Sequence, residues 1–178
     1  MARLTHGPRS HALARAAVIA SLALLVAAPA ALAAPPQHAP AEPPDLVLPG
    51  GDFCEHDIVL STASHGLRDT AFAPLPDGTE RVIERGVAST SATDATTGAV
   101  LDTKGGSSLV FRFAADGSLV VAGTGWIFVW YLPGDDSDLG PGLFLVHGRA
   151  TETYDTEGAF VNATFTGTAI DVCEALGD

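Results

Sequence analysis

Few side chains in this sequence are equipped for chemistry, and their spacing fits no common catalytic or metal-binding pattern. Cys54 and Cys173 are the two cysteines of the chain. In an oxidising compartment such a pair reads as one disulfide. It would close a loop of about 119 residues, which the chain-entropy account values at roughly 4–5 kcal/mol. His56 sits between Glu55 and Asp57. On a strand those neighbours point away from the imidazole, so the triplet is no catalytic group. His147 ends an apolar run and precedes Gly148 and Arg149. A buried, hydrogen-bonded imidazole and a general acid or base in a pocket are the two readings of it. His65 completes the histidines of the expected domain. Arg112 and Arg149 either pair with surface carboxylates, at about 0–1 kcal/mol each, or grip an anionic headgroup.

Asp135, Asp136 and Asp138 crowd one loop and make a weak calcium candidate, because hard cations take several oxygens. Counted from Asp136, however, the twelfth position is His147 and not a bidentate Glu. A solvated acidic hairpin tip is the plainer reading. There is no G-x-S-x-G elbow and no H-E-x-x-H pair, so hydrolase and zincin signatures are missing. No cofactor is expected. Asn162-Ala163-Thr164 fits a glycosylation acceptor but falls inside an expected strand.

The elements that must position these groups follow from patterning. Residues 1–33 have the three parts of an export signal: Arg3, Arg9 and Arg15, an apolar stretch over 16–28, and Ala31-Leu32-Ala33 before a cut at Ala34. The apolar run is short of the roughly 20 residues a span needs, so no membrane span is expected after cleavage. The expected location is extracellular, by the general secretory route. Residues 34–51 are proline-rich, which excludes helix and inner strand; they read as an extended linker. Residues 52–178 suffice for one core. Three of the nine basic residues fall in the leader, so six remain against 21 acidic ones, a formal charge near −15. Such a chain repels phosphate backbones, and nucleic acid is excluded as a partner.

From residue 54 onward the pattern is strand, turn, strand. Expected strands are 54–60, 67–72, 79–83, 86–93, 99–103, 107–113, 118–123, 126–132, 143–153 and 159–173. Turns fall at Pro76-Asp77-Gly78, 94–98, Asp116-Gly117 and 155–158; Asp-Gly is a strong hairpin signal. The fold class is therefore all-β: a single antiparallel barrel of about eight to ten short strands, with a sandwich as the alternative. The barrel is preferred because Cys54 opens the first strand and Cys173 closes the last.

One hairpin breaks the alternation. Trp126, Phe128 and Trp130 share one face, and Ile127, Val129 and Tyr131 the other. Either this is a centre covered on both sides, or one face meets a ligand or partner. Trp126, Phe128, Trp130, Tyr131, His147 and Arg149 are the candidate contact residues.

The pattern of Phe53-Cys54, Pro133-Gly134-Asp135, Leu139-Gly140-Pro141-Gly142, His147-Gly148-Arg149 and the closing Gly167, Asp171, Cys173, Ala175 and Leu176 resembles a set of small secreted actinobacterial proteins. The resemblance covers about residues 53–176. It implies secretion, β architecture with a lipocalin-like look, and the disulfide; it supplies no activity and no catalytic residues. His56 replaces an apolar or aromatic residue of that pattern, which implies an inward, structural place. The expected function is a secreted non-enzymatic β-domain binding a small apolar ligand or a cell-envelope partner. A barrel-cavity cyclase, isomerase or hydrolase, and a structural module without a small ligand, are the alternatives.

Overall fold

The computed structural model describes residues 36–41, 44–64 and 66–177. The expected leader and His65 lie outside them. Nine strands form one antiparallel sheet: β1 (Gln37–Pro40), β2 (Leu46–Leu48), β3 (Ile58–Ser64), β4 (Arg68–Phe72), β5 (Glu80–Asp94), β6 (Val100–Phe113), β7 (Leu119–Tyr131), β8 (Gly142–Tyr154) and β9 (Phe160–Asp171). A helix, α1 (Val172–Leu176), follows. The ladder runs β1-β4-β5-β6-β7-β8-β9, and β2-β3 joins it on β5. β4 pairs with the first half of β5 and β3 with the second, so the two lie end to end along one edge.

The strands are longer than expected. β5, β6 and β7 each fuse two expected strands into 13 to 15 residues. The apparent breaks lie at or beside glycines, and these mark a crease. Gly86 pairs with Ser107, Ser107 with Gly125, Gly125 with Gly148, and Gly148 with Gly167. One transverse row thus crosses five strands. A Cβ on Gly125, where φ is 92°, would lie 2.2 Å from the Gly106 carbonyl oxygen. One on Gly167 would lie 2.4 Å from the His147 oxygen. Only glycine tolerates such backbone contact with positive φ, and glycine kinks are how sheets acquire sharp curvature.

Tyr131 shows how sharp the bend is. It pairs with Gly142, while Glu152 pairs with Val121 at the far end of the hairpin. In a straight strand ten residues would separate Gly142 and Glu152 by roughly 34 Å. Yet the Tyr131 hydroxyl donates to Glu152 Oε1 at 3.1 Å, and its ring lies 5.7 Å from that of Phe160. The strands fold back at the glycine row.

The crease also divides the sheet. The β6–β7 ladder stops at Ser107–Gly125, although β6 begins at Val100 and β7 continues to Tyr131. On one side of the row lies a continuous six-stranded part, β4 to β9, with β1 paired outside β4. On the other lie two leaves: 126–131, 142–147 and 168–171 from β7–β9, and β2, β3 and the adjoining halves of β5 and β6. Ile58, Leu60 and Ala92 of one leaf share a core with Leu143 and Leu145 of the other, together with Val172 and Leu176 of α1. Val129, Tyr131, Phe144 and Val146 face Ala150 and Ala163 across the crease in a second core. The three-stranded leaf is therefore covered on both sides.

All-β antiparallel structure is as expected; closure into a barrel is not found. No ladder joins β9 to β1, β2 or β3 among the described residues. The chain ends meet covalently, through Cys54–Cys173 with Cα atoms 5.3 Å apart. Neither cysteine lies in a strand, which corrects the expected boundaries. Cys54 sits in a turn where its carbonyl accepts from the Gly51 N–H at 2.7 Å. Cys173 lies in α1, whose N-cap Asp171 accepts from the Glu174 N–H at 3.1 Å. The proline-rich stretch, expected to be a linker, carries two strands of the sheet, and its Leu48 packs in the first core. Within it β1 and β2 pair as outer strands, where Pro40 takes a place that proline tolerates.

Candidate binding face

The expected contact residues do not form one surface. Trp126, Phe128 and Trp130 border the first core, and Tyr131 is 1% exposed in the second. The Trp126 indole lies against the bare backbone of Gly105, where a Cβ would meet its Cδ1 at 2.9 Å. It stacks on the His147 ring at 4.6 Å and 26°. His147 and Arg149 are exposed. Trp130→Ala is therefore expected to cost about 2–4 kcal/mol of stability by emptying a half-buried core position; urea unfolding checks it.

His56 serves structure. Its Nδ1 lies 3.0 Å from Asp94 Oδ2. Asp94, 1% exposed, also accepts from the N–H groups of Thr96 and Thr97 at 2.7 and 2.8 Å. These bonds, foremost that from Thr97, hold its pKa down at about 2. They build the turn between β5 and β6.

The acidic loop between β7 and β8 is an edge cover and no free hairpin tip. The Asp136 carbonyl accepts from the Ala163 N–H at 2.8 Å, and the Asp138 N–H donates to the Ala163 carbonyl at 3.3 Å. Asp138 Oδ2 accepts from the Phe165 N–H at 2.9 Å, and Asp135 Oδ2 from the Leu132 N–H at 2.6 Å. The loop so occupies the outer edge of β9, a device that blocks further strand pairing. Among the described residues no three His, Cys, Asp or Glu side chains cluster as metal ligands.

A different group of residues converges. The registers place Arg68 opposite Arg85, and Arg81 opposite Arg112. Arg85, Ser108, Thr124, Arg149 and Thr166 lie in one transverse row, and Arg81, Arg112, Val120, Thr153 and Asn162 in another. Because side chains alternate along a strand, all five arginines point to the same side of the six-stranded part. That is five of the six basic residues after position 33, and the registers bring no carboxylate to this face. The side is open: Arg68, Arg85, Arg112 and Arg149 are exposed, as are Thr124, Thr164 and Thr166. The Arg81 guanidinium lies 4.2 Å over the Phe72 ring, and its Nε is buried without a hydrogen-bond partner. None of the five arginines pairs with a carboxylate among the described residues. Like charges directly opposite one another on a sheet destabilise it, so two such pairs are not explained by folding.

Carboxylates gather around this face without entering it. Asp77, Asp116, Asp155 and Glu157 lie in the hairpin turns at one end. Asp77 and Asp116 accept from the N–H groups of Thr79 and Ser118 at 2.9 Å, which lowers the pKa of each. On the reverse side Asp69 lies opposite Glu84. Burial, then the charge of Asp69, pushes Glu84 up, and burial raises Asp69. A raised folded pKa means that the folded chain keeps protons the unfolded chain has released, so stability falls as pH rises through that window. Glu84→Gln removes the penalty. It is expected to raise Tm by a few degrees at pH 7, with the gain vanishing below about pH 3, where both states are protonated. Thermal scans across pH check it.

Two open grooves lie among the described residues. One, of about 520 Å³, is lined by Ser61, Ser89, Ser91, Asp102 and Lys104. The other, of about 460 Å³, is lined by His38, Gly66, Arg68, Thr70, Arg85 and Gly86 and lies at one corner of the arginine face. Sequence reasoning singled out Arg112 and Arg149 but missed the face. The signal available was the four-residue spacing of Arg81 and Arg85, which puts both on one side of a strand. In the comparisons with known proteins, no family model, no curated protein and no solved structure matches this chain.

Proposed function

We propose that this chain is an exported, non-enzymatic binding domain that rests its arginine face on a linear polyanion of the cell envelope. The observation that carries this reading is the gathering of five arginines without a carboxylate partner among the described residues on one sheet face, where threonine, serine and the apolar Ile83, Val110 and Ala122 lie between them. Guanidinium forks and hydroxyls are the donors that oxyanion polymers accept from. Arg85 and Arg149 are three strands apart, roughly 14 Å, and Arg81 lies about 13 Å from Arg85 along β5. The charges therefore line a track that an extended chain can follow.

The rest of the molecule is acidic, with carboxylates in the turns that flank the face. A broad anionic membrane would meet those turns as well as the arginines. A narrow chain lying across the face meets the arginines alone, since exposed charges are screened beyond about 8 Å at physiological salt. The disulfide suits an oxidising compartment, and no helix among the described residues is long and apolar enough to cross a membrane. An apolar-ligand carrier and a cavity enzyme have less support, because the aromatic hairpin is packed on both sides.

Sedimentation with isolated cell walls tests the reading. The unaltered protein is expected to pellet with walls that retain their anionic polymers and to stay in solution with extracted ones. Arg81→Gln/Arg112→Gln/Arg149→Gln should weaken pelleting at least tenfold. Equal pelleting of that variant would remove the face as the binding site.

A further inference from the structure

We infer that the groove at the corner of the arginine face is a discrete subsite for a tetrahedral phosphoryl group, held between Arg68 and Arg85. This deepens the polyanion reading and rests on it. The two arginines stand directly opposite each other on β4 and β5, so their Cβ atoms are about 5 Å apart. Both line the groove, with His38, Thr70, Gly66 and Gly86. His38 Nδ1 and Thr70 Oγ1 are 3.0 Å apart, which ties the β1 edge to β4 beside the arginines.

The wall is kept bare by construction. Gly86 belongs to the crease row, and a Cβ there would lie 2.5 Å from the Gly66 carbonyl oxygen and 2.8 Å from the Leu67 Cα. A carboxylate offers two oxygens in one plane and satisfies a single fork. A phosphoryl group offers oxygens in several directions and can accept from two forks that approach from neighbouring strands. It would also neutralise the Arg68–Arg85 repulsion that the empty groove carries. A polymer whose terminal phosphoryl group is held there would continue along the row toward Arg149.

Titrating inorganic phosphate into the protein while following backbone amide shifts by NMR tests this. Expected are saturable shifts centred on residues 66–70 and 85–86, with acetate giving none that saturate. Arg85→Gln and Arg85→Lys should each weaken phosphate at least tenfold, because lysine keeps the charge but loses the fork, while Lys104→Gln, off the arginine face, should change it less than twofold. Phosphate shifts that never saturate, or a lysine variant that binds as the unaltered protein does, would overturn the subsite. If a polyanion still binds the face in that case, the functional reading survives alone. If neither binds, both fall. Each variant's own amide spectrum reports whether it is folded.

Discussion

Replacing Cys54 and Cys173 together by serine is expected to lower stability by about 4–5 kcal/mol, on the order of 15 °C in Tm for a domain of this size. The sheet is an open path: among the described residues no ladder joins β2 or β3 to β9. What joins them is the disulfide and one shared core. Cys54 is 6% exposed and packs in that core with Leu48, Ile58 and Val172. The Phe53 carbonyl lies 3.2 Å from Cys173 Sγ. Without the crosslink the unfolded chain regains a loop spanning 119 positions, and the seam between the leaves loses its covalent tie and keeps the shared core. Unfolding of the protein with and without reductant, alongside the double variant, measures the effect. Equal midpoints would show that packing, not the crosslink, holds the seam. Intact mass should also fall two units short of the reduced chain.

Gly125→Ala is expected to cost more than about 4 kcal/mol or to prevent folding. Two penalties add. The backbone there has φ of 92°, a region that costs a residue with a Cβ about 1–2 kcal/mol. The new Cβ would stand 2.2 Å from the Gly106 carbonyl oxygen and 3.1 Å from the Ser107 Cα. Those are backbone atoms of the neighbouring strand and cannot rotate away, so relief requires opening the β6–β7 ladder where it already ends. Gly98→Ala is the control: φ is 75° there and no atom lies within 4 Å of the new Cβ, so only the conformational penalty applies. Denaturant titration of both variants should show at least a twofold difference in lost stability. Similar losses would mean that the glycine row does not crease the sheet.

Much of the fold was legible because its local chemistry is strong. The Asp-Gly turn, the Pro76-Asp77-Gly78 turn and the Asp94–Gly98 turn fall where the residues put them, and the apolar hairpin pairs across its acidic loop. The two-faced apolarity of 126–132 admits a centre covered on both sides or a contact face, and both faces pack in cores. Strand lengths were not legible, because glycines within long strands look like turn residues when read in sequence. Gly86, Gly125 and Gly148 reveal their common purpose only once the registers align them. The same holds for the arginines. Arg68 and Arg85 face each other through a pairing that depends on one residue of register, and a slip of one would send either to the opposite side. The acidic loop was misread for a related reason: its carboxylates and carbonyls serve the edge of β9, a strand 27 residues away at Phe165.

The central claim is that the arginine face binds a linear polyanion, and its most direct test is the salt dependence of that binding. Labelled linear polyphosphate would be titrated with the protein by fluorescence anisotropy over a series of NaCl concentrations. With three to five arginines engaged, log K should fall linearly with log salt at a slope of about −2 to −4, each neutralised phosphate contributing about 0.7. Arg81→Gln/Arg112→Gln should flatten that slope by about 1.4. No binding even at low salt, or an unchanged slope in the double variant, would contradict the account.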